Sequence, residues 1–554
     1  MTNLKEKIKN LSMELTSIPS IVGTVGEICI AEKIYSIFRK IDYFKLYSDK
    51  LRIVDLKKDS LGRKYVMAFI EGTNFRSSKT ILLLGHIDTV GIEDYGDLKE
   101  FATNPNMLKK KLAEKKVNQE ILEDLESDNW LFGRGIFDMK AGVASLIVMM
   151  EEFSKKTNEL DGNLVFIGVP DEEGNSAGML SAVEDLAAIA EEKGWEFIAA
   201  IDTDYMTGHY PGDENKYVYI GTVGKLLPCF YVYGKETHVG EAFNGLDANL
   251  LAAEIMKQVD LSYDLCDIAD GEVTLPPISL HQRDLKTEYS VQTVNAVNLY
   301  FNFATHISQP DEVLEKLKEK AVLAFENTIE KLNGEYRKFC ELSNIPFKKL
   351  PWEVRVLTFE ELYSQVKEKL GEALDKMIDS LVDELLEKGV DDREFSLRIV
   401  QEVHKYYPDK NPLIVLYFAP PYYPHIFVKG ENEKEKRLLE AVNQAVEEAK
   451  KQYDYKIVTK KFFPYISDLS YCSIAENDES IAKLINNMPA WSRKYSLPVK
   501  AIKKISMPVV NIGPYGKDAH KMTERISSSY SFDAMPFILE KTILNLLKCH
   551  SKNS

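Results

Sequence analysis

His86 and Asp88 directly follow the apolar run Ile81–Leu84, at the point where a predicted buried strand ends. In a strand, residues two apart point to the same face. Asp88 can therefore accept a hydrogen bond from one ring nitrogen of His86 and leave the other nitrogen for a metal ion. A hydrogen-bonded turn is the alternative explanation for this pair.

Three further carboxylates lie at the ends of other predicted elements. Asp138 lies in the segment Gly133–Gly142, just before a predicted helix, where an Asp also commonly serves as the N-cap. Glu172 and Glu173 follow a predicted strand that begins at Leu164. Either they form an exposed acidic turn, or one binds a cation while the other acts as the base for a metal-bound water.

The last residues of this set follow two further strands. Asp202 and Asp204 come after the predicted strand Phe197–Ile201, and His520 follows one that begins at Pro508. In parallel sheets, function collects at the carboxyl ends of the strands. Two His and several carboxylates at one sheet edge suit two divalent cations that share a bridging carboxylate. The joint pattern therefore predicts a dinuclear metal site, and it is more specific than any single residue.

These side chains need a sheet to bring them together. In residues 1–222, short apolar runs alternate with helical patterns, which predicts an α/β fold with a mostly parallel central sheet. The same pattern returns in residues 408–554, where Leu413–Phe418 is the first predicted strand. We therefore predict one three-layer α/β domain in two segments. Residues 223–407 are predicted to form an inserted α+β domain, with a helical expansion at 358–407.

The composition excludes several classes of partner. The chain has 70 Lys and Arg against 86 Asp and Glu, and a net charge of −16 argues against a general nucleic-acid or anionic-membrane binder. No apolar run reaches the roughly 18 residues of a transmembrane helix. The six Cys form no C-x-x-C pair, which is typical of reduced thiols in a cytosolic protein. We expect a cytoplasmic protein without nucleic-acid or membrane partners.

The motifs together resemble the dinuclear zinc exopeptidase and amidohydrolase superfamily, which includes aminoacylase, glutamate carboxypeptidase, peptidase T and succinyl-diaminopimelate desuccinylase. The resemblance spans nearly the whole chain. It depends on Gly85-His-Ile-Asp-Thr-Val, Gly133-Arg-Gly-Ile-Phe-Asp-Met-Lys, Asp171-Glu-Glu-Gly, Asp202 and Ala519-His-Lys-Met-Thr-Glu. Three segments look most like the RocB-type arginine-utilisation branch: Asp202-Thr-Asp-Tyr, Pro420-Pro-Tyr-Tyr-Pro and Ser467-Asp-Leu-Ser-Tyr.

The resemblance implies a role for each motif residue. His86 would bind one metal ion, and Asp88 would orient its ring. Asp138 would bridge both ions. Glu172 would be the general base, and Glu173 would be a ligand of the second ion.

Further ligands are implied in the same way. Asp202 would complete the first metal site, with Asp204 as the competing ligand, and His520 would complete the second. Glu524 matches a Glu that follows the last His and would position the neighbouring loop. A cis peptide bond is expected after Asp138. His and carboxylate ligands suit zinc, with cobalt or manganese as alternatives.

Substrate contacts are expected from both domains. Gly234–Gly240 resembles the segment whose His, here His238, stabilises the oxyanion in the superfamily, often from a partner subunit; a surface His is the alternative. Relatives usually carry a strand-end Arg for a substrate carboxylate, and this chain offers only Arg283 or Lys286 as replacements. Asp468 falls where relatives place polar substrate contacts, or else it forms a helix cap or turn.

The resemblance implies an enzyme that hydrolyses amide bonds in small peptides or N-acyl amino acids with two divalent metal ions. The RocB-type branch adds an expected link to arginine or amino-acid catabolism. The inserted domain resembles a lid and dimerisation domain, so a homodimer is expected unless the helical expansion lets one chain cover its own site. The alternative is a catalytically inactive sensor or scaffold, which the complete ligand set disfavours.

Overall fold

The computed structural model describes residues 2–57, 59–74 and 77–548. The chain forms two compact units. The first unit comprises Met1–Thr222, Ile426–Ile474 and Pro498–Ser554, and the second comprises Val223–His425 and Ala475–Leu497. Among the helices of the described residues, none has the length and apolar character that crossing a bilayer requires.

The strands are numbered along the chain. They are β1 (Leu51–Asp55), β2 (Lys64–Glu71), β3 (Lys79–His86), β4 (Trp130–Phe132), β5 (Asn163–Val169), β6 (Glu196–Asp202), β7 (Lys216–Ile220), β8 (Gly224–Leu226), β9 (Pro228–Tyr233), β10 (Ile268–Ala269), β11 (Glu272–Val273), β12 (Ile278–Asp284), β13 (Ala296–Thr305), β14 (Val356–Thr358), β15 (Leu413–Phe418), β16 (Ile457–Lys460), β17 (Val509–Asn511), β18 (Gly516–Lys517) and β19 (Arg525–Ser527).

The α-helices are numbered in the same way. They are α1 (Thr2–Thr16), α2 (Gly26–Phe38), α3 (Asp42–Leu46), α4 (Pro105–Leu112), α5 (Gln119–Glu126), α6 (Ala141–Ser154), α7 (Ala177–Lys193), α8 (Ala248–Val259), α9 (Pro310–Ser343), α10 (Phe359–Leu370), α11 (Glu372–Glu387), α12 (Asp392–Lys405), α13 (Glu433–Gln452), α14 (Asp478–Asn486), α15 (Val499–Ile505) and α16 (Met535–Leu547).

The first unit is built around an eight-stranded sheet in the order β1-β2-β5-β3-β6-β17-β7-β16. Its centre, from β5 to β17, is parallel, whereas β2 and β7 run antiparallel to their central neighbours. β3 is buried along nearly its whole length, which explains its continuous apolar sequence. The predicted α/β fold class is confirmed, and antiparallel strands flank the parallel centre.

The register of the parallel strands brings their carboxyl ends to one edge of this sheet. Leu84 of β3 pairs with Asp202 of β6, and His86 pairs with Val169 of β5. The segments that follow β3, β5 and β6 therefore leave the sheet side by side. Polar side chains that are far apart in the sequence are close together there.

The start of α6 packs tightly against this edge. Gly142 is the second residue of α6, and a Cβ atom added to it would lie 2.1 Å from the carbonyl oxygen of Thr203. Only glycine allows the helix to approach the segment after β6 so closely. The segment before α6, which contains Asp138, is thereby held next to the end of β6.

The second unit contains a six-stranded sheet in the order β12-β13-β9-β15-β14, with β8 also paired to β13. Helices α8 and α9 pack together beside it. α9 begins with a capping box between Gln309 and Glu312, and the residue after its end, Asn344, has a left-handed φ of 53°. The predicted helical expansion at 358–407 corresponds to α10, α11 and α12.

One predicted boundary is wrong. Leu413–Phe418 was assigned to the second segment of the first domain, but β15 pairs with β9 and β14 in the sheet of the second unit. The first unit resumes at Ile426, and residues 475–497 also belong to the second unit. The local sequence of a buried strand is apolar in either sheet, so it does not reveal which strands lie beside it.

The cysteines agree with the expectation of free thiols for the part of the chain that the structure describes. Cys549 lies outside the described residues. The free cysteines are Cys29, Cys229, Cys266, Cys340 and Cys472.

Candidate metal centre

The centre is built at the carboxyl edge of the first unit's sheet, beginning with β3. His86 is the last residue of β3 and is buried, and its Nδ1 lies 3.6 Å from Oδ1 of Asp88. The carboxylate of Asp88 also accepts hydrogen bonds from the backbone N–H groups of Glu172 at 3.2 Å and Glu173 at 3.0 Å. Asp88 therefore links the end of β3 to the turn that follows β5.

The carboxylate of Asp138 lies between two histidines. Nε2 of His86 is 3.0 Å from its Oδ1, and Nε2 of His520 is 2.9 Å from its Oδ2. His520 Nε2 is also 3.0 Å from Oε1 of Glu173. Donor atoms of His86, Asp138 and Glu173 all lie within 4.8 Å of one another. The peptide bond from Asp138 to Met139 is cis, as the resemblance implied.

These contacts shift the pKa values of the groups involved. Burial opposes the ionisation of Asp138, but hydrogen bonds from His520 and His86 hold its pKa well below the usual value. Burial lowers the pKa of His520, yet Asp138 and Glu173 outweigh burial and raise it to about 10. Metal ligands must be deprotonated, so a cation bound here would displace protons from the two histidines.

Asp202 and Asp204 are both buried, in the segment that ends β6 and follows it. Asp202 ends β6, and its Oδ2 accepts a hydrogen bond of 2.8 Å from the hydroxyl of Ser467. Burial raises the pKa of Asp202 to about 6. Burial also raises the pKa of Asp204, and the charges of Asp138 and Asp202 raise it further. Of the two candidate ligands from this segment, Asp204 is close enough to Asp138 for their charges to interact, and Asp202 is close enough to interact with His86.

Glu172 and Glu173 lie in the turn after β5, where both are half-buried. Burial raises the pKa of Glu172 well above its usual value, and the charges of Glu173, Asp468 and Asp204 raise it further, against the opposing effect of His86. Asp88 binds the two residues only through their backbone N–H groups, and the carboxylate of Glu173 contacts His520.

Glu524 holds the loop that precedes Asp138. It is fully buried, and its Oε2 accepts a hydrogen bond of 2.7 Å from Arg134. Its Oε1 accepts the backbone N–H of Gly135 at 2.8 Å and that of Phe137 at 3.3 Å. Arg134 also forms two hydrogen bonds of 2.8 Å with Asp94. Because Glu524 follows His520 by four residues, it ties the His520 loop to the Asp138 loop.

Several residues at this edge were not predicted from the sequence to belong to the site. Ser467 is bound to Asp202, and Tyr205 and Tyr465 stack with ring centroids 4.9 Å apart. Burial raises the pKa values of both phenols, and the charges of Asp138 and Asp204 raise them further. Tyr205 and Ser467 lie in the motifs Asp202-Thr-Asp-Tyr and Ser467-Asp-Leu-Ser-Tyr. Their position beside Asp204 and Asp468 was the only sign in the sequence that they belong to the site.

Asp468 lies in the same cluster and is almost fully buried. Neither of its carboxylate oxygens accepts a hydrogen bond of ordinary geometry among the described residues, although the Ser176 hydroxyl is close enough to lower its pKa. Burial has the larger effect and raises the pKa of Asp468 well above its usual value. A cationic group is the natural partner for such a carboxylate.

The remaining candidates belong to the second unit. His238 is exposed, and its Nδ1 accepts a hydrogen bond of 3.1 Å from the backbone N–H of Gly240. Arg283 forms an ion pair with Glu394. Lys286 donates to two backbone carbonyl groups in the same unit. The roles predicted for these side chains in substrate binding and oxyanion stabilisation stay predictions.

The first unit thus places ten of the motif residues in or around one cluster. Their individual roles stay predictions from the resemblance. The residues are His86, Asp88, Asp138, Glu172, Glu173, Asp202, Asp204, Asp468, His520 and Glu524.

Comparison with known proteins places this fold and site in a class. Residues 82–532 match the model of peptidase family M20/M25/M40. The chain is 34% identical over 548 residues to Protein RocB of Bacillus subtilis strain 168, covering 99% of this chain and 96% of RocB. It is 36% identical over 547 residues to the protein YqjN of the same strain, covering 98% of this chain and 97% of YqjN.

A solved structure supports the fold. The aminopeptidase PepT from Bacillus cereus aligns with 98% of this chain and 99% of its own, with a TM-score of 0.53 and 13% identity. The fold and the matches together define a hydrolase. The chain belongs to peptidase family M20/M25/M40, which confirms the resemblance predicted from the motifs.

The anchoring role of Glu524 predicts a large loss of stability in Glu524→Ala. The change leaves the buried guanidinium of Arg134 with one carboxylate fewer and removes the acceptor for the Gly135 N–H. Such losses typically cost about 3 kcal/mol. Denaturant unfolding should show this decrease, whereas Glu93→Ala, which removes an exposed ion pair with Lys99, should have little effect. Equal unfolding midpoints for the two variants would contradict the anchoring role.

Proposed function

We propose that this hydrolase cleaves amide bonds in small peptides or N-acyl amino acids with the help of two divalent metal ions. The observation that supports it most is the carboxylate of Asp138, each of whose oxygens faces a different histidine. A carboxylate in this position is suited to bridging two cations. The similarity to RocB leads us to propose a role in arginine or amino-acid catabolism.

The residues fit a pair of cations. His86, Asp138 and Asp202 would hold one ion, with Asp204 as the alternative to Asp202. Asp138 and two further residues, Glu173 and His520, would hold the other ion. Imidazole nitrogens and carboxylate oxygens are ligands of zinc, and cobalt and manganese accept the same set. Burial raises the pKa values of Glu173, Asp202 and Asp204, and neighbouring carboxylates raise those of Glu173 and Asp204 further, so positive ions are favoured here.

When bound, the cations would supply Lewis acidity, which acidifies water and polarises an amide carbonyl. The chain's own residues divide the remaining work. Glu172 takes a proton from the attacking water and returns it to the nitrogen of the leaving amine. Asp88 keeps Glu172 in place through its backbone N–H. The exposed His238 is the proposed hydrogen-bond donor to the oxyanion, from its own chain or from a partner.

Asp468 is the proposed contact for a positively charged group of the substrate. It is buried, and its oxygens accept no hydrogen bond of ordinary geometry in the described part of the chain. Its charge raises the pKa of Glu172, so the two carboxylates are close enough to interact. A free ammonium group near the scissile amide would satisfy Asp468. Arg283, which forms an ion pair with Glu394, is the proposed contact for a substrate carboxylate.

A panel of dipeptides and N-acyl amino acids tests this function. The metal-loaded protein should hydrolyse at least one of the two classes. If substrates with a free ammonium group are preferred, Asp468→Asn should raise their KM more than tenfold, because a hydrogen bond to a charged group contributes about 1.5–3 kcal/mol. No hydrolysis of any member by a protein that holds two metal ions would favour the sensor or scaffold alternative.

The role of Glu172 is tested on the substrate found in that panel. Glu172→Gln removes the base and leaves every proposed metal ligand in place. Turnover should fall about 10²- to 10⁴-fold, while metal content by elemental analysis should not change. Glu184→Gln, on the exposed surface of α7, is the matched control and should keep both. Wild-type turnover in Glu172→Gln would rule out the assignment.

A further inference from the structure

A buried cluster of charges lies behind the turn that carries Glu172 and Glu173, within the first unit. Arg63 directly precedes β2 and is 9% exposed. Asp59 precedes it in the connection from β1, and Asp171 is the residue immediately before Glu172. None of these three residues was singled out from the sequence for a role of its own.

Asp59 fixes the guanidinium group of Arg63. Its Oδ1 accepts hydrogen bonds from Nε at 3.0 Å and from Nη2 at 2.8 Å, and its Oδ2 accepts the backbone N–H of Arg63 at 2.7 Å. The planar guanidinium is therefore held along one edge. Its other terminal nitrogen, Nη1, donates a hydrogen bond to Oδ1 of Asp171. The carboxyl group of Glu27 lies 3.7 Å from Nη1, and burial raises its pKa to about 8.

Asp171 in turn closes the loop that contains Glu172. Its carbonyl oxygen accepts the backbone N–H of Ser176 at 2.7 Å and that of Gly174 at 3.2 Å. Its Oδ2 accepts the N–H of Ala177, the first residue of α7, at 3.0 Å. One carboxylate thus joins the Arg63 guanidinium to the start of α7.

The backbone of Asp171 needs this support. Its φ is 71°, a left-handed conformation that is unfavourable for a residue other than glycine. Such conformations persist where the surroundings hold them in place. The contacts with Arg63 and Ala177 supply that constraint, and Asp88 accepts hydrogen bonds from the backbone N–H groups of the next two residues.

We propose that Arg63 is a positioning residue for the hydrolytic reaction: through Asp171 it fixes the turn that presents Glu172 and Glu173. Arg63 acts through Asp171 and has no proposed contact with substrate or metal. The inference rests on the proposed function of Glu172. A displacement of about 1 Å in a reacting group can reduce a rate about 100-fold, so a loosened turn should be visible in turnover.

The main rival is a purely structural role, in which Arg63 only stabilises the connection between β1 and β2. The variants Arg63→Gln and Arg63→Lys separate the two. Arg63→Gln removes the charge that binds Asp171, and Arg63→Lys keeps a charge but loses the fork that Asp59 holds. Arg52→Gln on β1 is the matched control, because it makes the same substitution at an arginine whose guanidinium lies over the Phe69 ring, 5.2 Å from the ring centroid.

Two measurements are made on each metal-loaded, full-length variant. Kinetics on the substrate from the panel should show kcat about 10- to 100-fold lower in Arg63→Gln, with KM changed less than about threefold and partial recovery in Arg63→Lys. Hydrogen exchange followed by mass spectrometry should show faster exchange in residues 171–177 of Arg63→Gln. Arg52→Gln should change neither kcat nor exchange in that segment.

Each outcome decides the proposal. Lower kcat together with faster exchange in residues 171–177 supports it. Faster exchange confined to residues 51–71, with unchanged kcat, would establish the purely structural role and overturn it. If the wild-type protein hydrolyses no member of the panel, the proposed function fails, and exchange in residues 171–177 alone then decides whether Arg63 fixes the turn. If Arg63→Gln does not fold, Arg63→Lys is compared with the wild-type protein instead, and a smaller decrease in kcat together with faster exchange in residues 171–177 is expected.

Discussion

The concentration of buried carboxylates at one edge of a sheet is the constraint on which the rest of this structure depends. Burial raises the pKa values of Glu173, Asp202 and Asp204, and neighbouring carboxylates raise those of Glu173 and Asp204 further. Hydrogen bonds from His520 and His86 keep the pKa of Asp138 low despite its burial. A protein does not collect negative charge in its interior without a positive partner. The carboxyl ends of parallel strands bring these side chains together, and a cluster of this composition suits the two cations of the proposed function.

Several carboxylates around this cluster are held in place by polar groups of the chain. Backbone N–H groups donate hydrogen bonds to Asp88, and a serine hydroxyl donates one to Asp202. Guanidinium groups donate hydrogen bonds to Glu524 and to Asp171. A buried hydrogen bond fixes direction as well as compensating charge. This polar frame gives the acidic residues a defined geometry, which catalysis by positioned groups requires.

The sequence predicted those parts of the molecule that depend on local pattern. Apolar runs that end in His86, Asp202 or the Glu172 turn indicated strands and their polar ends, and the motif order indicated the family. Hydrogen-bond partners that neither a strand-end pattern nor the order of the motifs brings together were not predictable. Arg63 meets Asp171 across 108 residues, and Ser467 meets Asp202 across 265.

The misplaced strand β15 has a related cause. Its six residues are all buried and apolar, and their pairing with β9 depends on the tertiary fold. A buried strand carries little information about its neighbours, whereas a polar strand end carries more because few chemical roles suit it. For this reason the candidate site was easier to predict than the boundary between the two units.

The most direct test of the account is the number of divalent metal ions bound per chain, measured by elemental analysis after growth with zinc and purification without chelators. The account predicts about two ions per chain in the wild-type protein. It also predicts that Asp138→Ala loses both, because this carboxylate is the proposed bridge, whereas His520→Ala keeps about one. Two ions retained in Asp138→Ala, or none in the wild-type protein after reconstitution, would contradict it.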